Sequence, residues 1–351
     1  MRSILVIGGA GFIGSHTVVE LVKHGYRPVV VDNFSNSHEA VIASLNSLLG
    51  QKIICYTQDY QDIAKLEKII KKERIEGIIH FAAYKAVGES VEQPLKYYDN
   101  NVGGFVRLLQ TALSNDVQHM IFSSSAAVYG NPPVAFVTET VPCNPTSPYG
   151  WSKYMDEIVL RDACLANSRL HGTALRYFNV VGAHESAQIG ELAKGKPQNL
   201  LPIIAQAIVS KIPLTVFGSD YPTPDGTCLR DYVHVVDLAQ AHVAALNTSF
   251  ANKHGLHKTY NIGTGKPTSV MELISTFERV NNIKVPYRIG PRRAGDPVTY
   301  YASAAKANKA LGWKATKTIE DAVRDAWNWQ QSITSIWASR SNGEISNVKH
   351  V

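Results

Sequence analysis

Residues 4–14 of the chain read Ile-Leu-Val-Ile-Gly-Gly-Ala-Gly-Phe-Ile-Gly, and this stretch decides the fold. The apolar run at residues 4–7 predicts a buried strand, and the glycines that follow satisfy Gly-x-Gly-x-x-Gly. Such glycines let the backbone turn tightly and approach a pyrophosphate at the N-terminus of the next helix. We therefore predict a dinucleotide site at the loop that contains Gly9, Gly11 and Gly14.

Short apolar runs continue to alternate with amphipathic segments through the first half of the chain. Strands are predicted at Ile4–Ile7, Pro28–Val31, Ile53–Tyr56, Gly77–Ala83, His119–Ser123 and Thr173–Tyr177, and helices lie between them, for example at Ser15–His24 and Ala64–Lys72. This alternation predicts an α/β fold of the Rossmann type, in which a doubly wound parallel sheet has right-handed crossovers.

Glycine and proline become frequent after residue 178, which predicts a smaller α/β substrate-binding domain. We predict a dinucleotide-binding domain at 1–178, to which 231–262 returns, and a substrate domain at 179–230 and 263–334. Residues 335–351 are polar without clear periodicity, and we expect a disordered tail there.

Composition excludes several classes of protein. The formal net charge of the 351 residues is +6, but the basic residues are dispersed, so we expect no nucleic-acid partner. No apolar run is long enough to cross a membrane, and a strand begins directly after Arg2, which argues against a signal peptide. The four cysteines are scattered, so we expect no metal site and a cytoplasmic protein.

Asp32 ends the second predicted strand and carries the choice of dinucleotide. A carboxylate there accepts hydrogen bonds from ribose hydroxyls and repels a 2′-phosphate, which favours NAD over NADP. Asp59 follows the third strand, and two interpretations of it are equally supported by its spacing: it contacts the adenine, or it is an ordinary turn residue. The small residues Ala82 and Ala83 after Phe81 leave room for a cofactor at the edge of the sheet.

The stretch Ser147-Pro148-Tyr149-Gly150-Trp151-Ser152-Lys153 predicts the chemical centre. Ser147 suits a helix N-cap and Pro148 the first turn, so Tyr149 and Lys153 fall one turn apart on one face. A nearby ammonium lowers the pKa of a tyrosine, which can then act as a general base. The alternative is a packed tyrosine beside a solvated lysine.

A hydroxyl at the carboxyl end of the fifth strand would complete this centre. Ser123, Ser124 and Ser125 all lie there, and we choose Ser125 as the residue that hydrogen-bonds the reacting alcohol.

Several stretches resemble the UDP-glucose 4-epimerase family of extended short-chain dehydrogenases. They are residues 8–16 (GGAGFIGSH), 80–90 (HFAAYKAVGES), 97–101 (YYDNN), 123–130 (SSSAAVYG), 175–179 (LRYFN), 230–238 (RDYVHVVDL) and 291–296 (PRRAGD). The resemblance runs from about residue 2 to residue 330. It implies NAD-dependent interconversion of UDP-glucose and UDP-galactose, through a 4-keto sugar that turns over in the site, and it implies a homodimer.

The resemblance also implies the roles of individual residues. NAD would contact Gly8, Gly11, Phe12, Ile13, Gly14, Asp32, Asn33, Phe34, Ser35, Asn36, Ser37, Asp59, Tyr60, Phe81, Ala82, Ala83, Lys85, Asn100, Ser125, Tyr149, Lys153 and Phe178. The UDP-hexose would contact Lys85, Ser125, Tyr149, Asn179, Asn199, Leu200, Val216, Phe217, Arg230, Arg293, Asp296 and Tyr300. The large side chain of Tyr300 would disfavour an acetamido group on the turned sugar.

Three positions depart from the family's frequent residues, namely Val180, Gln198 and Ala127, and the first two bear on substrate preference. Three alternatives follow. The enzyme could also accept UDP-N-acetylhexosamines. A nucleotide-sugar dehydratase would need an acid after Ser125, where two alanines stand. A non-catalytic dinucleotide sensor would reuse the fold without turnover.

Overall fold

The computed structural model of the chain describes residues 1–341 except 193, 196, 253 and 294–296. Strands and helices alternate through its first half. In chain order the elements are β1 (Ser3–Ile7), α1 (Phe12–Lys23), β2 (Arg27–Asp32), α2 (Ala40–Leu49), β3 (Ile54–Thr57), α3 (Ile63–Glu73), β4 (Ile75–His80), α4 (Val87–Glu92), α5 (Pro94–Tyr97), a π-helix (Tyr98–Gly103), α6 (Gly104–Ser114), β5 (His119–Ser125), a 3-10 turn (Ala126–Tyr129), β6 (Phe136–Val137), α7 (Pro148–Ala166) and β7 (His171–Tyr177).

The second half is more mixed. Its elements are β8 (Asn179–Val181), α8 (Leu200–Ser210), β9 (Leu214–Phe217), β10 (Leu229–His234), α9 (Val235–Ala251), β11 (His257–Ile262), β12 (Pro267–Ser269), α10 (Val270–Asn281), β13 (Tyr287–Gly290), β14 (Thr299–Ala302), α11 (Ala305–Leu311) and α12 (Ile319–Ser341). Among the described helices, none combines the length and the apolar character needed to cross a bilayer.

Seven strands form the main sheet in the order β11-β7-β5-β4-β1-β2-β3. Every pairing in it is parallel, as the register of each neighbouring pair shows. The strands are apolar runs because helices cover both faces, and all five residues of β1 are buried. The predicted Rossmann-type sheet is confirmed. Its strand order reverses between β1 and β4, which is where such sheets bind ligands.

The remaining strands form two small sheets beside the main one. One has the order β12-β10-β14-β6, with β8 paired to β10, and the other joins β13 to β9. Helices α8, α10 and α12 cover an apolar cluster that includes Leu201, Ile204, Leu273 and Phe277. This region is the smaller α/β unit that the composition predicted.

The division into domains stays a prediction, and the sheet pairings differ from it at two places. Residues 231–234 belong to β10, where Asp231 pairs with β12 and residues 232–234 pair with β8, so the return to the main sheet begins only with α9. Residues 136–137 form β6, which pairs with β14 although it lies within the predicted first domain. Apolar patterning detects a strand but carries no information about its partner.

Two predicted boundaries are also wrong. The fourth strand ends at His80, and residues 81–83 form a loop, because the chain leaves the sheet there to line the crevice. At the other end, α12 continues to Ser341, so residues 335–341 are helical rather than a disordered tail. Apolar residues at 333, 336 and 337 have helical spacing that we had overlooked. Residues 342–351 of the predicted tail lie outside the described residues.

Candidate active site

The loops that follow β1 and β4 meet at the reversal point of the main sheet. The Gly8 amide donates to Val31 O at 2.9 Å, and the Phe81 amide donates to Ile7 O at 2.9 Å. Gly8 has a φ of +79°, and a Cβ added there would lie 2.9 Å from the backbone nitrogen of Ala82. Only glycine allows so close an approach, so the two loops form one crevice wall.

Helix α1 begins directly at this crevice, and the amide groups of its first turn are not capped by any described side chain. Gly11 is its N-cap, and among the described residues no side chain caps the helix or adds an acid to its first turn. The amides at such a helix start are suited to bind an anion. A Cβ on Gly14 would lie 2.2 Å from Gly8 O, which explains why the third glycine is needed for the loop to pack on its helix.

Asp32 organises the far side of the crevice. Its Oδ2 accepts from the Ala10 amide at 3.0 Å, and its Oδ1 accepts from the Phe34 amide at 2.9 Å and the Ser37 hydroxyl at 2.8 Å. A carboxylate has about four acceptor positions, so one remains for a ribose hydroxyl. The group therefore fits the predicted role, and it also holds the loop after β2 against the glycine loop.

The loops after β2 and β3 are joined to each other and to the π-helix. Asn33 Nδ2 donates to Asp59 Oδ2 at 3.0 Å, while Ser35 and Asn36 are exposed beside them. Tyr60 Oη donates to the carbonyl of Asn100 at 2.9 Å. Asn100 lies in the π-helix. Such helices are rare overall, and those that occur are often found at functional sites. The structure thus brings the predicted NAD contacts Asn33, Asp59, Tyr60 and Asn100 onto adjoining segments of the chain.

Helix α7 begins as the sequence predicts. Ser147 Oγ accepts from the Gly150 amide at 3.1 Å, and Pro148 occupies the first turn. Tyr149 and Lys153 follow one turn apart. Lys153 is buried, and its Nζ lies 4.8 Å from the ring centre of Phe122 in β5.

The electrostatics of this pair differ from our prediction in one respect. Burial raises the pKa of the Tyr149 phenol, and a hydrogen bond with Ser125 acts in the opposite direction. Burial also lowers the pKa of Lys153 to about 8, against the attraction of Asp156 and Glu157. Among the described residues, Lys153 is not one of the groups that lower the Tyr149 pKa, and its ammonium lies over the Phe122 ring. A cation beside the phenol would act against the effect of burial.

The three serines at the end of β5 have different partners. Ser123 hydrogen-bonds the hydroxyl of Tyr177, and Ser124 donates to the carboxylate of Glu157. Ser125 instead lies near the buried Tyr149 phenol, whose pKa it lowers, and its Oγ accepts from the Ala127 amide at 3.2 Å. Ser125 was chosen from its position in the sequence. The structure adds a physical reason, because the hydroxyls of Ser123 and Ser124 are already hydrogen-bonded to Tyr177 and Glu157.

A buried ion pair between Arg176 and Glu157 lies next to this centre, and it was not predicted from the sequence. Arg176 Nε lies 2.8 Å and 3.1 Å from the two carboxylate oxygens of Glu157, and its Nη1 donates to Tyr129 Oη at 2.9 Å. Tyr129 Oη donates in turn to Asn261 Oδ1 at 2.7 Å. The network joins α7, β5, β7 and β11. The position of Glu157 one turn after Lys153 could have revealed it.

The predicted contacts of the UDP group lie on the smaller unit. Arg293 stacks its guanidinium 4.1 Å from the ring centre of Phe217, and Arg230 Nη1 donates to Leu229 O and Pro297 O at 2.8 Å each. Leu200 opens α8, and Asn179 opens β8. The side chain of Val216 is buried in the apolar cluster, so only its main chain could face a ligand. Asp296 lies outside the described residues.

Tyr300 lies against Ala126, the residue that follows Ser125. Its hydroxyl donates to the carbonyl of Ala126, and its ring centre lies 4.9 Å from that of Phe178. The side chain is buried, so its bulk is held in place beside the strand end that carries Ser125. This is the position that a gate for the sugar would require.

The chain matches known proteins along nearly its whole length. A family profile described as GDP-mannose 4,6 dehydratase covers residues 5–326. UDP-glucose 4-epimerase 4 of Oryza sativa subsp. japonica is 47% identical in an alignment of 353 residues that covers 99% of this chain and 95% of the relative.

Two solved structures share the fold closely. A UDP-glucose 4-epimerase from Stenotrophomonas maltophila, with bound NAD and formylated UDP-arabinopyranose, has a TM-score of 0.93 at 43% identity and covers 96% of this chain and 100% of its own. The UDP-glucose 4-epimerase of Bifidobacterium longum, in complex with NAD⁺ and UDP, has a TM-score of 0.89 at 45% identity over 94% and 98%. From its sequence, its sheet and these relatives, the chain belongs to the UDP-glucose 4-epimerase family of extended short-chain dehydrogenases.

Proposed function

We propose that this protein interconverts UDP-glucose and UDP-galactose, with Tyr149, Ser125 and Lys153 at the chemical centre. One observation carries the assignment. Ser125 lies close enough to the buried Tyr149 phenol to lower its pKa, at the end of β5 and next to the strand whose loop lines the dinucleotide crevice. Two hydroxyls and a buried ammonium at that place can exchange a proton with a bound alcohol.

NAD is the cofactor in this proposal. The open amides at the start of α1 suit its pyrophosphate, and the unused acceptor position of Asp32 suits its adenosine ribose. When bound, the oxidised cofactor would supply a hydride acceptor and a positive charge. A positive charge beside Tyr149 would act against burial, which raises the pKa of the phenol.

The protein residues then have separate tasks. Tyr149 takes the proton of the sugar's 4-hydroxyl and returns it after the 4-keto sugar has turned. Ser125 donates a hydrogen bond to the reacting oxygen, and Lys153 would hold the nicotinamide ribose of the bound cofactor. Turning requires that the UDP group be held firmly while the hexose is held loosely. Arg230, Arg293 and Phe217 hold the nucleotide in this scheme, since a guanidinium matches phosphate oxygens.

UDP-N-acetylhexosamines are the second candidate substrates. The buried ring of Tyr300 beside Phe178 disfavours an acetamido group, so we assign UDP-glucose and UDP-galactose. The experiment follows the 4-epimer by NMR after incubation with UDP-galactose and, separately, UDP-N-acetylgalactosamine. Conversion of the first alone supports the assignment. Conversion of both contradicts the gate at Tyr300, and conversion of neither, even with added NAD, contradicts the epimerase.

Tyr149→Phe tests the chemical centre. The variant removes only the proton-transferring oxygen, so we expect turnover to fall at least about 100-fold, at the lower end of what general acid–base groups contribute. UDP affinity should stay within about twofold, since the phenol does not contact the nucleotide. Calorimetric titration with UDP and an NMR turnover assay measure the two quantities. Turnover close to that of the unaltered protein would refute the role of Tyr149.

A cytoplasmic homodimer completes the proposal. Trp151 and Met155 are exposed and lie one turn apart on α7, and Leu95 of α5 is 79% exposed. Apolar side chains of this size on neighbouring helices support a surface that a second copy covers. The four cysteines are free thiols, which supports a reducing compartment.

A further inference from the structure

Glu191 lies between Lys85 and Asn199, two residues that the family resemblance assigns to ligands, although nothing in the sequence marked it. It belongs to the loop between β8 and α8, and its side chain is only 10% exposed. Asn199 Nδ2 donates to both of its carboxylate oxygens, at 2.7 Å and 2.9 Å. Lys85 Nζ, from the loop after β4, lies 3.3 Å from Oε1. Glu191 therefore connects the cofactor side of the cleft to the nucleotide side.

The main chain of this acid is held independently of its carboxylate. Trp329 Nε1 of α12 donates to Glu191 O at 3.1 Å. A Cβ on the preceding Gly190 would lie 2.3 Å from Trp329 Cδ1, so the loop packs directly on the indole. The carboxylate is thus presented to Asn199 from a fixed backbone, and a substitution of its side chain leaves the Trp329 bond in place.

The bonds to Asn199 determine which end of its amide is available. A carboxylate only accepts hydrogen bonds, so the nitrogen must face Glu191 and the carbonyl Oδ1 must face away from it. Asn199 is also the N-cap of α8, yet in the described part of the chain its side chain caps no amide of that helix. An Asn at this position normally would. The first amides of α8 are therefore left for an anion, and the Asn199 carbonyl is left for a donor.

We propose that Glu191 is a positioning residue for the nucleotide, acting through Asn199. It turns the Asn199 carbonyl toward a hydroxyl or N–H of the bound nucleoside diphosphate and keeps the start of α8 open for the phosphates. Lys85 balances the charge of the carboxylate, which would otherwise repel a diphosphate. This inference rests on the assignment of Asn199 to the UDP site.

The test is a double-mutant cycle on UDP affinity, measured by calorimetry with Glu191→Gln, Asn199→Ala and the double variant. We expect Glu191→Gln to weaken UDP binding about tenfold and to raise KM for UDP-galactose by a similar factor, while kcat stays within about twofold. In the Asn199→Ala background the same change should weaken binding by less than about twofold, because the residue through which it acts is gone.

Glu185→Gln is the matched control, because Glu185 lies in the same loop but pairs with Lys317 at 3.2 Å and is exposed. It should change neither UDP affinity nor turnover. An unchanged UDP affinity in Glu191→Gln would overturn the proposal, as would an effect of full size in the Asn199→Ala background or a fall in kcat at constant KM. An unaltered protein that binds no UDP would contradict the proposed function itself, and this role of Glu191 with it.

Discussion

Glu157→Gln is the substitution whose effect follows most directly from the structure. Glu157 and Arg176 are both buried, and the carboxylate accepts from Arg176 Nε and Nη2 and from the hydroxyl of Ser124. Glutamine keeps the shape of the side chain but removes its charge. The Arg176 guanidinium then stays buried without a compensating anion, because the pairing that holds its pKa above the usual range is lost.

The expected cost is about 3–5 kcal/mol, the range for removing one partner of a buried ion pair. An unfolding entropy of roughly 2.1 cal/mol/K per residue, applied to 351 residues, gives about 0.7 kcal/mol/K. The melting temperature should therefore fall by about 4–7 °C. Turnover should fall as well, since Ser124 precedes Ser125 and loses the charged acceptor that fixes the end of β5.

The assay is thermal unfolding followed by calorimetry at neutral pH. The partner variant Arg176→Met and the double variant Glu157→Gln/Arg176→Met complete the set. We expect the double variant to be more stable than Glu157→Gln alone, because no unpaired charge is left in the core. A fall of less than about 2 °C in Glu157→Gln would refute the reasoning. So would a double variant whose loss equals the sum of the two single losses.

Three further predictions concern the same helix. Asp156 is buried, its Oδ1 has no hydrogen-bond partner in the described part of the chain, and burial raises its pKa. Ionisation of Asp156 therefore costs the folded state stability, and this cost grows as the pH rises above the pKa of the unfolded state. Asp156→Asn should raise the melting temperature at pH 8 by about 1–4 °C but not near pH 4. An equal gain at both pH values would contradict this. Lys153 has a pKa lowered to about 8, so its positive charge is lost as the pH rises through that value and kcat/KM should decline above about pH 8. In Lys153→Met this decline should vanish, and activity should drop at least about tenfold. A pH profile of unchanged shape in Lys153→Met would argue against the assignment. Trp151 is exposed on α7, and Trp151→Glu should convert the dimer into a monomer in sedimentation experiments at micromolar concentration. If the unaltered protein already sediments as a monomer, the proposed dimer interface is contradicted.

The parts of the fold that could be predicted are those with a local cause. The glycine loop, the cap at Ser147 and the first six parallel strands follow from side chains next to each other in the sequence. Strand partners outside the main sheet do not, which is why β10 was assigned to the wrong sheet. A stretch such as Leu229–His234 has the same apolar character in either sheet.

The candidate site divides in the same way. Tyr149, Lys153 and Ser125 could be found because the chemistry needs those residue types at those positions. Glu191 could not, because an acid in a loop rich in glycine is usually solvated, and its partners are distant in sequence. The direction of the Tyr149 pKa shift in the protein without its cofactor could not be predicted, since it depends on burial and on where Lys153 Nζ lies.

The pairing of β11 with β7 has a consequence for how the chain is made. These two strands are adjacent in the main sheet, but the residues that form β8, α8, β9 and β10 are synthesised between them. A nascent chain that has emerged only through Tyr177 exposes β7 as an unpaired edge, and α9 is not yet present to cover that end of the sheet. Unpaired edges invite association with other chains. The nucleotide-binding half is thus first in sequence but cannot finish folding on the ribosome until most of the second half has followed it.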